Sequence, residues 1–379
     1  MIAESERLGA ELRAIGAAAA VLVRAEDICH ATGFEVPPSI DAGAAFAYGP
    51  ALAIVGQDGT TILLAPGAYL ARAEEMSLAD ETVLVEGFGH FEPVDGRARF
   101  VDAITTALRD LGIGDGDTVA IDPSWTPVDV EHTLDGRPVV DLRPAVRRAR
   151  LLKTEREIGL LKDAARVCDA GHEAMVAGAT TGRNELELMG DVLTHVDRAA
   201  GQPVPWAGEL VSGPRTGRLR YPGGPVDRDL ERGDTVLMDL SVRVRGYWSD
   251  CTNVTAVDAE PTTAQARFFR AARNAFEAAV AELRPGRVAS DAHEAARAAF
   301  AADGFEPAHY TGHQIGVTVN EGPRLVSYDH SPIQAGMVFS VEPGVYGGDL
   351  GTGARCERVV VVRDDDPEVV SRFRWGMDA

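Results

Sequence analysis

DTVLMDLSVRVRGYWSDCTNVTAV, residues 234–257, is the stretch on which the reading of this chain turns. Two apolar runs flank Arg243-Val244-Arg245-Gly246, the composition of a β-hairpin around a short turn. Each run carries one aspartate, and Asp239 and Asp250 are equidistant from the Val244–Arg245 bond. A hairpin closed symmetrically there sets the two carboxylates opposite each other on one face, with Cβ atoms roughly 4.5–5.5 Å apart. Like charges that close in a buried strand pair raise one another's pKa or require a cation between them.

The pattern recurs in MVFSVEPGVYGGDLGTGARCERVVVV, residues 337–362, where Glu342 and Glu357 flank a glycine-rich turn near 347–353. A third β segment, TGHQIGVTVNEGP (311–323), places His313 directly after a glycine. A lone aspartate in a strand is most often an edge residue, and a lone histidine a satisfied core group. Five such residues on apolar strands, in the order Asp, Asp, His, Glu, Glu, point instead to a metal centre. Four carboxylates and one imidazole lean hard, and suit a pair of divalent ions such as Mn, Co or Zn better than one structural zinc. Two ions sharing carboxylates about 3.5–4 Å apart are a device for activating water.

The chain has 379 residues, enough for two domains and a sizeable core, with 45% hydrophobic and 25% charged residues. A formal net charge of −21 argues against nucleic acid or an anionic membrane as partner, because both need a basic footprint. The four cysteines are scattered and form no C-x-x-C pair, which suits free thiols in a reducing cytoplasm. MIAESERLGAELRAIGAAAAVLV at the N-terminus lacks the basic and apolar regions of a signal peptide, and no run of 18 apolar residues predicts a membrane span.

Residues 1–145 predict a small α/β domain. Leu8, Leu12 and Ile15 have helical spacing, and AAVLVR (19–24) reads as a buried strand. LAIVG (52–56) and TTILLAP (60–66) form a hairpin about Asp58-Gly59; VLVEG (83–87), a helix near 97–111 and VAIDP (119–123) follow. GIGDGD (112–117) has the wrong glycine spacing for a nucleotide loop and reads as a turn. The connector DLRPAVRRARLLK (141–153) leads into a second domain, 146–379. Its first helix opens on a capping box, Thr154 with Glu157, and buries Ile158, Leu161, Ala165 and Cys168. Another starts near Asn184, with Glu187 at the matching position. Helices at 263–283 and 290–303 separate β-rich blocks at 234–257 and 335–363, and the 364–366 acidic run ends a strand in solvent. The fold class is α/β (α+β).

VLMDLSVRVRGYWSDCTNV, HYTGHQIG, MVFSVEPGVY and GARCERVVVV together resemble the pita-bread (M24) metallopeptidases: aminopeptidase P, prolidase (Xaa-Pro dipeptidase), methionine aminopeptidase, and their relatives creatinase and ectoine hydrolase. ATGF (31–34) after a strand, the connector and KTEREIGLL extend the resemblance to a creatinase-like N-terminal domain. It implies two divalent metal ions, manganese ahead of cobalt or zinc. Asp239 would hold one ion, His313 and Glu342 the other, and Asp250 and Glu357 would bridge both. Glu342 would also take the proton from the attacking water, and Arg355 would support the bridging carboxylate. A homodimer is implied as well.

Two departures stand out. Where the family has "HE", this chain has Asn320-Glu321, and where the family has a "PH", SGPRTGRLRYPGGPV (212–226) contains no histidine. Asparagine cannot carry a proton at neutral pH, though it can donate a hydrogen bond to a carbonyl or an oxyanion. Candidate replacements are His309, Arg218, Arg220, Tyr221, Tyr328 and His330, and the two arginines could clamp a carboxylate. His30, His90, His132, His172, His195 and His293 show no constellation and read as structural or exposed. The leading expectation is a cytoplasmic two-metal hydrolase cleaving a C–N bond in an Xaa-Pro peptide or a small-molecule amide. The alternatives are a non-catalytic pita-bread binding protein and a metal-dependent enzyme that does not hydrolyse, for instance by elimination.

Overall fold

The computed structural model describes residues 1–37, 48–218 and 223–378, so Arg220 and Tyr221 lie outside the described residues. The chain divides into two compact units, Met1–Leu151 and Leu152–Ala379.

The first unit is built on β1 (Ala19–Leu22), β2 (Leu52–Gly56), β3 (Thr61–Pro66), β4 (Glu81–Val85), β5 (Val119–Ile121) and β6 (Val139–Asp141), in the order β4-β3-β2-β1-β5-β6. The β1–β2 and β2–β3 pairs are antiparallel and the others parallel. Six helices accompany the sheet: α1 (Ala3–Ala14), α2 (Ala25–Thr32), α3 (Leu70–Met76), α4 (Gly96–Asp110), α5 (Val128–Thr133) and α6 (Arg143–Ala149). Strand alternation divides the core. Ala20, Leu22, Ala53 and Val55 pack with Leu8, Leu12 and Ile28 on one face, while Val21, Leu52 and Ile54 pack with Phe100, Ile104 and Leu108 on the other. Helix α6 runs through residue 145 and stays within this unit. Residues 112–117 form a turn, as their glycine spacing predicts.

The second unit carries α7 (Glu155–Gly178), α8 (Glu185–Ala200), α9 (Thr263–Ala281) and α10 (Ala289–Ala302). Its longest strands are β7 (Trp206–Ser212), β8 (Thr235–Val244) and β9 (Tyr247–Ala256), which form one antiparallel sheet. A second sheet runs β11-β10-β12-β15-β16, from β10 (Gly312–Gln314), β11 (Glu321–Leu325), β12 (Val338–Val341), β15 (Arg358–Val361) and β16 (Glu368–Val369). Between its strands, β13 (Gly344–Gly347) and β14 (Thr352–Arg355) make a small ribbon. Helix α7 packs on β8 and β9, and α9 on β13 and β14. Its start is the expected capping box: the Thr154 hydroxyl accepts from Glu157 N at 3.1 Å, and the Glu157 carboxylate accepts from Thr154 N at 2.8 Å. Among the described residues, no helix is long and apolar enough to cross a membrane.

Two expectations need correction. The β8–β9 hairpin does not close about the Val244–Arg245 bond. It turns on two residues, Arg245 (φ 48°) and Gly246 (φ 83°), both in the left-handed region that twist-matched two-residue turns require. The register moves accordingly: Asp239 faces Thr252, and Asp250 faces Ser241. The two aspartates are diagonal neighbours, still on one face. At the start of α8, Asn184 caps Leu186 N, but Glu187 does not complete a capping box and instead approaches the half-buried Arg183 at 3.6 Å.

Candidate metal centre

The two main sheets of the second unit meet where the ligand-type residues lie. Asp239 and Asp250 project from β8 and β9. His313 is the middle residue of β10, paired with Ser340 of β12 and Arg324 of β11. Glu342 directly follows β12 and Glu357 directly precedes β15, and one register runs through both ladders of that arm, from Val341↔Arg358 to Gly344↔Arg355. The mirror-symmetric reading of Glu342 and Glu357 therefore holds. An isolated bridge between Thr252 and Glu357 stitches the two sheets together at the site.

One glycine makes the approach feasible. Gly312 has φ +158°, and a Cβ there would stand 2.2 Å from the Ser340 carbonyl oxygen. Only a residue without a side chain lets β10 lie this close to β12 and carry His313 into the cluster.

One donor atom from each of Asp250, His313 and Glu357 lies within 4.8 Å of the others, and all three residues are buried, so together they could hold a metal ion. His313 Nε2 also lies 3.3 Å from Glu342 Oε1 and 3.6 Å from Asp250 Oδ2. Its Nδ1 donates to the Gln314 carbonyl at 2.9 Å, which turns Nε2 toward the carboxylates. Asp239 is the most open of the five, with 21% of its side chain exposed, yet its Oδ1 is buried and has no hydrogen-bond partner among the described residues. Four carboxylates converge here on one arginine and one histidine. A buried acceptor without a donor and an excess of buried negative charge fit a group that brings positive charge, and the all-oxygen-plus-imidazole donor set fits a hard divalent ion.

The protonation states say the same. Burial, followed by the neighbouring carboxylates, pushes Asp239 and Glu357 well above the usual carboxylate range, against the pull of Arg355. Burial acts upward on Asp250 too, but the His313 hydrogen bond and charge and the Ser241 hydroxyl outweigh it and hold Asp250 low. Burial opposes a charge on His313, yet Asp250 and Glu342 lift it to about 10. The shifts are those of a buried cluster whose negative charge the protein's own cations do not offset.

Arg355 sits behind the cluster. Its Nη2 donates to Asp239 Oδ2 at 2.6 Å and lies 3.5 Å from Glu209, and its Nε donates to Thr252 Oγ1 at 2.7 Å. Thr252 passes that bond on to Glu357 Oε2 at 2.5 Å, and Ser340 Oγ lies 2.8 Å from Glu357 Oε1. Ser241 donates to Asp250 Oδ1 at 2.7 Å. Nothing in the sequence singled out Ser241, Thr252 or Ser340, because small hydroxyl residues carry no patterning signal in a strand, nor Glu209, a lone carboxylate on β7.

The remaining candidates are spread around this centre. His309 donates from Nδ1 to the Tyr310 carbonyl at 2.8 Å, and its Nε2 accepts from the Tyr346 hydroxyl at 3.2 Å. Burial keeps His309 below the usual histidine value and drives Tyr346 up to about 12. A Cβ on Gly344 would come within 2.7 Å of both partners, so that glycine makes room for the pair. Asn320 is exposed, and its Oδ1 accepts from Arg324 Nε and Nη2 at 3.2 and 3.1 Å. Glu321 follows it and meets the buried Lys153 ammonium at 3.0 Å; Lys153 also bonds Gln314. Arg218 is exposed beside Gly348. Tyr328 is 78% exposed, and His330 Nδ1 lies 3.0 Å from the Ser290 hydroxyl.

Residues 159–364 match the pattern of metallopeptidase family M24, and residues 5–152 match the Creatinase/Prolidase N-terminal domain. The chain belongs to the M24 metallopeptidase family and is a metal-dependent hydrolase with a creatinase-like N-terminal domain and a pita-bread C-terminal domain. A Bacillus subtilis protein named among the dipeptidases is 25% identical over 371 residues, 97% of each chain. The Xaa-Pro dipeptidase of Pyrococcus horikoshii is 30% identical over 219 residues, covering 57% of this chain and 61% of that protein. Among solved structures, the prolidase from Pyrococcus horikoshii superposes with a TM-score of 0.79 at 21% identity, over 99% of each chain.

Proposed function

We propose that this chain is a two-ion hydrolase that cleaves the C–N bond of an Xaa-Pro peptide or a small-molecule amide, with manganese, cobalt or zinc as the ion. The observation that carries the reading is the convergence of Asp239, Asp250, His313, Glu342 and Glu357, with Asp239 Oδ1 buried and lacking a donor. Asp239 would hold one ion, His313 and Glu342 the other, with Asp250 and Glu357 shared. When bound, the ions supply polarisation of the substrate carbonyl and a water acidic enough to attack near neutral pH.

The chain's own groups would do the rest. The Glu342 carboxylate, 3.3 Å from His313 Nε2, would accept the proton that the attacking water gives up. His309 is neutral, with Nε2 satisfied by Tyr346, and orients that tyrosine next to the substrate. Because Arg324 occupies the Asn320 oxygen, the asparagine NH2 is the group that would be left to donate to a substrate oxygen. This supports a hydrogen-bonding role for Asn320 in place of proton transfer. Asn320→Ala then lowers kcat about a hundredfold, as loss of one oxyanion donor does, with metal content unchanged. An unaltered kcat removes Asn320 from the chemistry. A homodimer is the proposed assembly, checked by sedimentation equilibrium.

Metal content decides the reading as a whole. Plasma mass spectrometry on the purified protein should find about two ions per chain, as a site of this class holds, and Asp250→Asn should lose them. A wild type that takes up no Mn, Co or Zn sinks the proposal and leaves a binding protein on the same scaffold.

A further inference from the structure

In HYTGHQIG (309–316) the tyrosine that follows the first histidine reaches the carboxylates. The backbone around Tyr310 is tied down at three points. The Tyr310 carbonyl accepts from His309 Nδ1 at 2.8 Å. Thr311 N donates to the Leu325 carbonyl at 3.0 Å, and the Thr311 carbonyl accepts from Glu342 N at 2.8 Å. The last bond brings the chain at Tyr310 against one of the ligand candidates. The tyrosine ring lies 5.9 Å from the His309 ring and 6.2 Å from the His313 ring, centre to centre. Glu342, Glu357 and Asp250 all act on the phenol, and Glu342 is within hydrogen-bonding reach of it. Tyr310 is nevertheless 36% exposed, so it stands between the buried carboxylates and whatever enters from solvent.

Amide hydrolysis places negative charge on the carbonyl oxygen, and a fixed donor beside that oxygen lowers the barrier. The other donors near the cluster are already engaged. Tyr346 gives its hydroxyl to His309 at 3.2 Å. Arg355 is held by Asp239 and Thr252. Asn320 is exposed and bonded to Arg324, and among the described residues no hydrogen bond draws it to the cluster. Tyr310 is placed differently. A phenol, with an ordinary pKa of about 10, is a donor at neutral pH. Burial first, and then the neighbouring carboxylates, strengthens its hold on the proton. The O–H also turns about its C–O bond, so a donor aimed at Glu342 can swing to a substrate oxygen entering beside it.

We infer that Tyr310 is a catalytic residue of this chain, its hydroxyl donating a hydrogen bond to the scissile carbonyl oxygen as that oxygen gains negative charge. The inference rests on the hydrolase reading above and deepens it by naming a donor. Such a bond strengthens as charge develops, so it speeds the reaction more than it tightens substrate binding. It also gives the departures at Asn320 and in 212–226 a physical sense. A neutral hydroxyl beside Glu342 offers a hydrogen bond where the family's histidines would carry a proton.

Tyr310→Phe removes the oxygen and keeps the ring. With Ala-Pro as substrate and manganese-loaded protein, kcat should fall about a hundredfold, as loss of one oxyanion donor does, while KM stays put. Metal content by plasma mass spectrometry should match that of wild type. Calorimetry gives a readout that needs no turnover. The phosphinic isostere of Ala-Pro carries a charged oxygen on a tetrahedral centre, and should bind wild type about tenfold more tightly than Tyr310→Phe. In a wild type that cleaves Ala-Pro, the absence of either effect overturns the role, as does a rate loss that comes with lost metal or is confined to KM. A wild type that does not cleave Ala-Pro fails the Xaa-Pro reading instead, and the phosphinate then decides alone. Tighter binding to wild type keeps the Tyr310 contact; equal binding, or none to either protein, overturns it.

Discussion

Arg355 and Gly312 illustrate two ways in which one residue can hold a site together. Arg355 is buried, touches Asp239 and Thr252 directly, and through Thr252 fixes the rotamer of Glu357. Removing it leaves buried carboxylates without their protein cation, a change that costs about 3–5 kcal/mol when one partner of a buried pair is lost. Arg355→Met should therefore destabilise the metal-free protein by about that amount, and added manganese should restore a large part of it, because the ion replaces the missing charge. Thermal melts with and without Mn²⁺ test this; a variant equally destabilised in both states would show that packing, not charge, is what Arg355 contributes. Gly312 acts through backbone instead. In Gly312→Ala the new methyl meets a carbonyl oxygen that belongs to the neighbouring strand and cannot swing aside. A loss of at least about 2 kcal/mol in urea denaturation is expected, together with weakened metal uptake at His313. Wild-type stability in this variant would mean that β10 can lie farther from β12 than it does.

At the scale of elements, the two β-arms show what sequence can and cannot tell. The arm from Val338 to Val361 was legible because a single register runs through both its ladders, so symmetry about the glycine-rich turn finds the right partners. The β8–β9 arm was misjudged by one position because its first turn residue is Arg245, not the asparagine or aspartate that usually marks a left-handed position. The error preserved the face, since moving the turn by one residue changes each pairing by two, and faces repeat every two residues. Helix α7 poses the opposite case. His172 gave no signal as a sequence position, yet it is fully buried on this helix, its Nε2 donating to the Cys251 carbonyl at 3.1 Å and its ring 4.4 Å from that of Phe373. Burial depresses it to about 3. The unfolded chain takes up this proton near the ordinary value of about 6.5 and the folded chain does not. The neutral histidine's contribution is thus complete above about pH 6.5 and is lost as pH falls toward 3, with an upper limit of about 5 kcal/mol. His172→Leu should flatten the acid limb of stability between pH 7 and 4.5 relative to wild type; parallel curves would show that the imidazole does not stay neutral.

For the whole molecule, the division into an α/β unit and a larger unit bearing the carboxylates was readable from patterning, and the family from four short stretches taken together. Partners that close the site were not readable. Thr252 meets Arg355 and Ser340 meets Asp250 across 103 and 90 residues of sequence, and periodicity cannot report such distances. The same long separations predict how metal and fold are coupled. The ligand candidates converge only in the native state, so a saturating ion that binds there and not to the unfolded chain raises stability by mass action, about 2.7 kcal/mol at a hundredfold excess over Kd. Scanning calorimetry should show Tm climbing with Mn²⁺ concentration in wild type and flat in Asp250→Asn; the same climb in both would locate the ion elsewhere.

The strand neighbours of two ligand candidates add one more consequence. Cys251 follows Asp250 and Cys356 precedes Glu357. Cys251 turns its thiol to the Ser371 hydroxyl at 3.1 Å, and Cys356 has Arg358, Arg273 and Asp378 around it rather than the acidic cluster. Strand alternation in β9 keeps the Cys251 sulfur off the face that carries Asp250, and Cys356 lies in the link between β14 and β15. Were β9 to slip by one residue, a thiol would stand in place of the Asp250 carboxylate, and the donor set would shift toward soft, thiophilic ions such as Cu(I) or Cd²⁺. Which donor atoms face the cluster is therefore set by backbone register as much as by the identity of the residues.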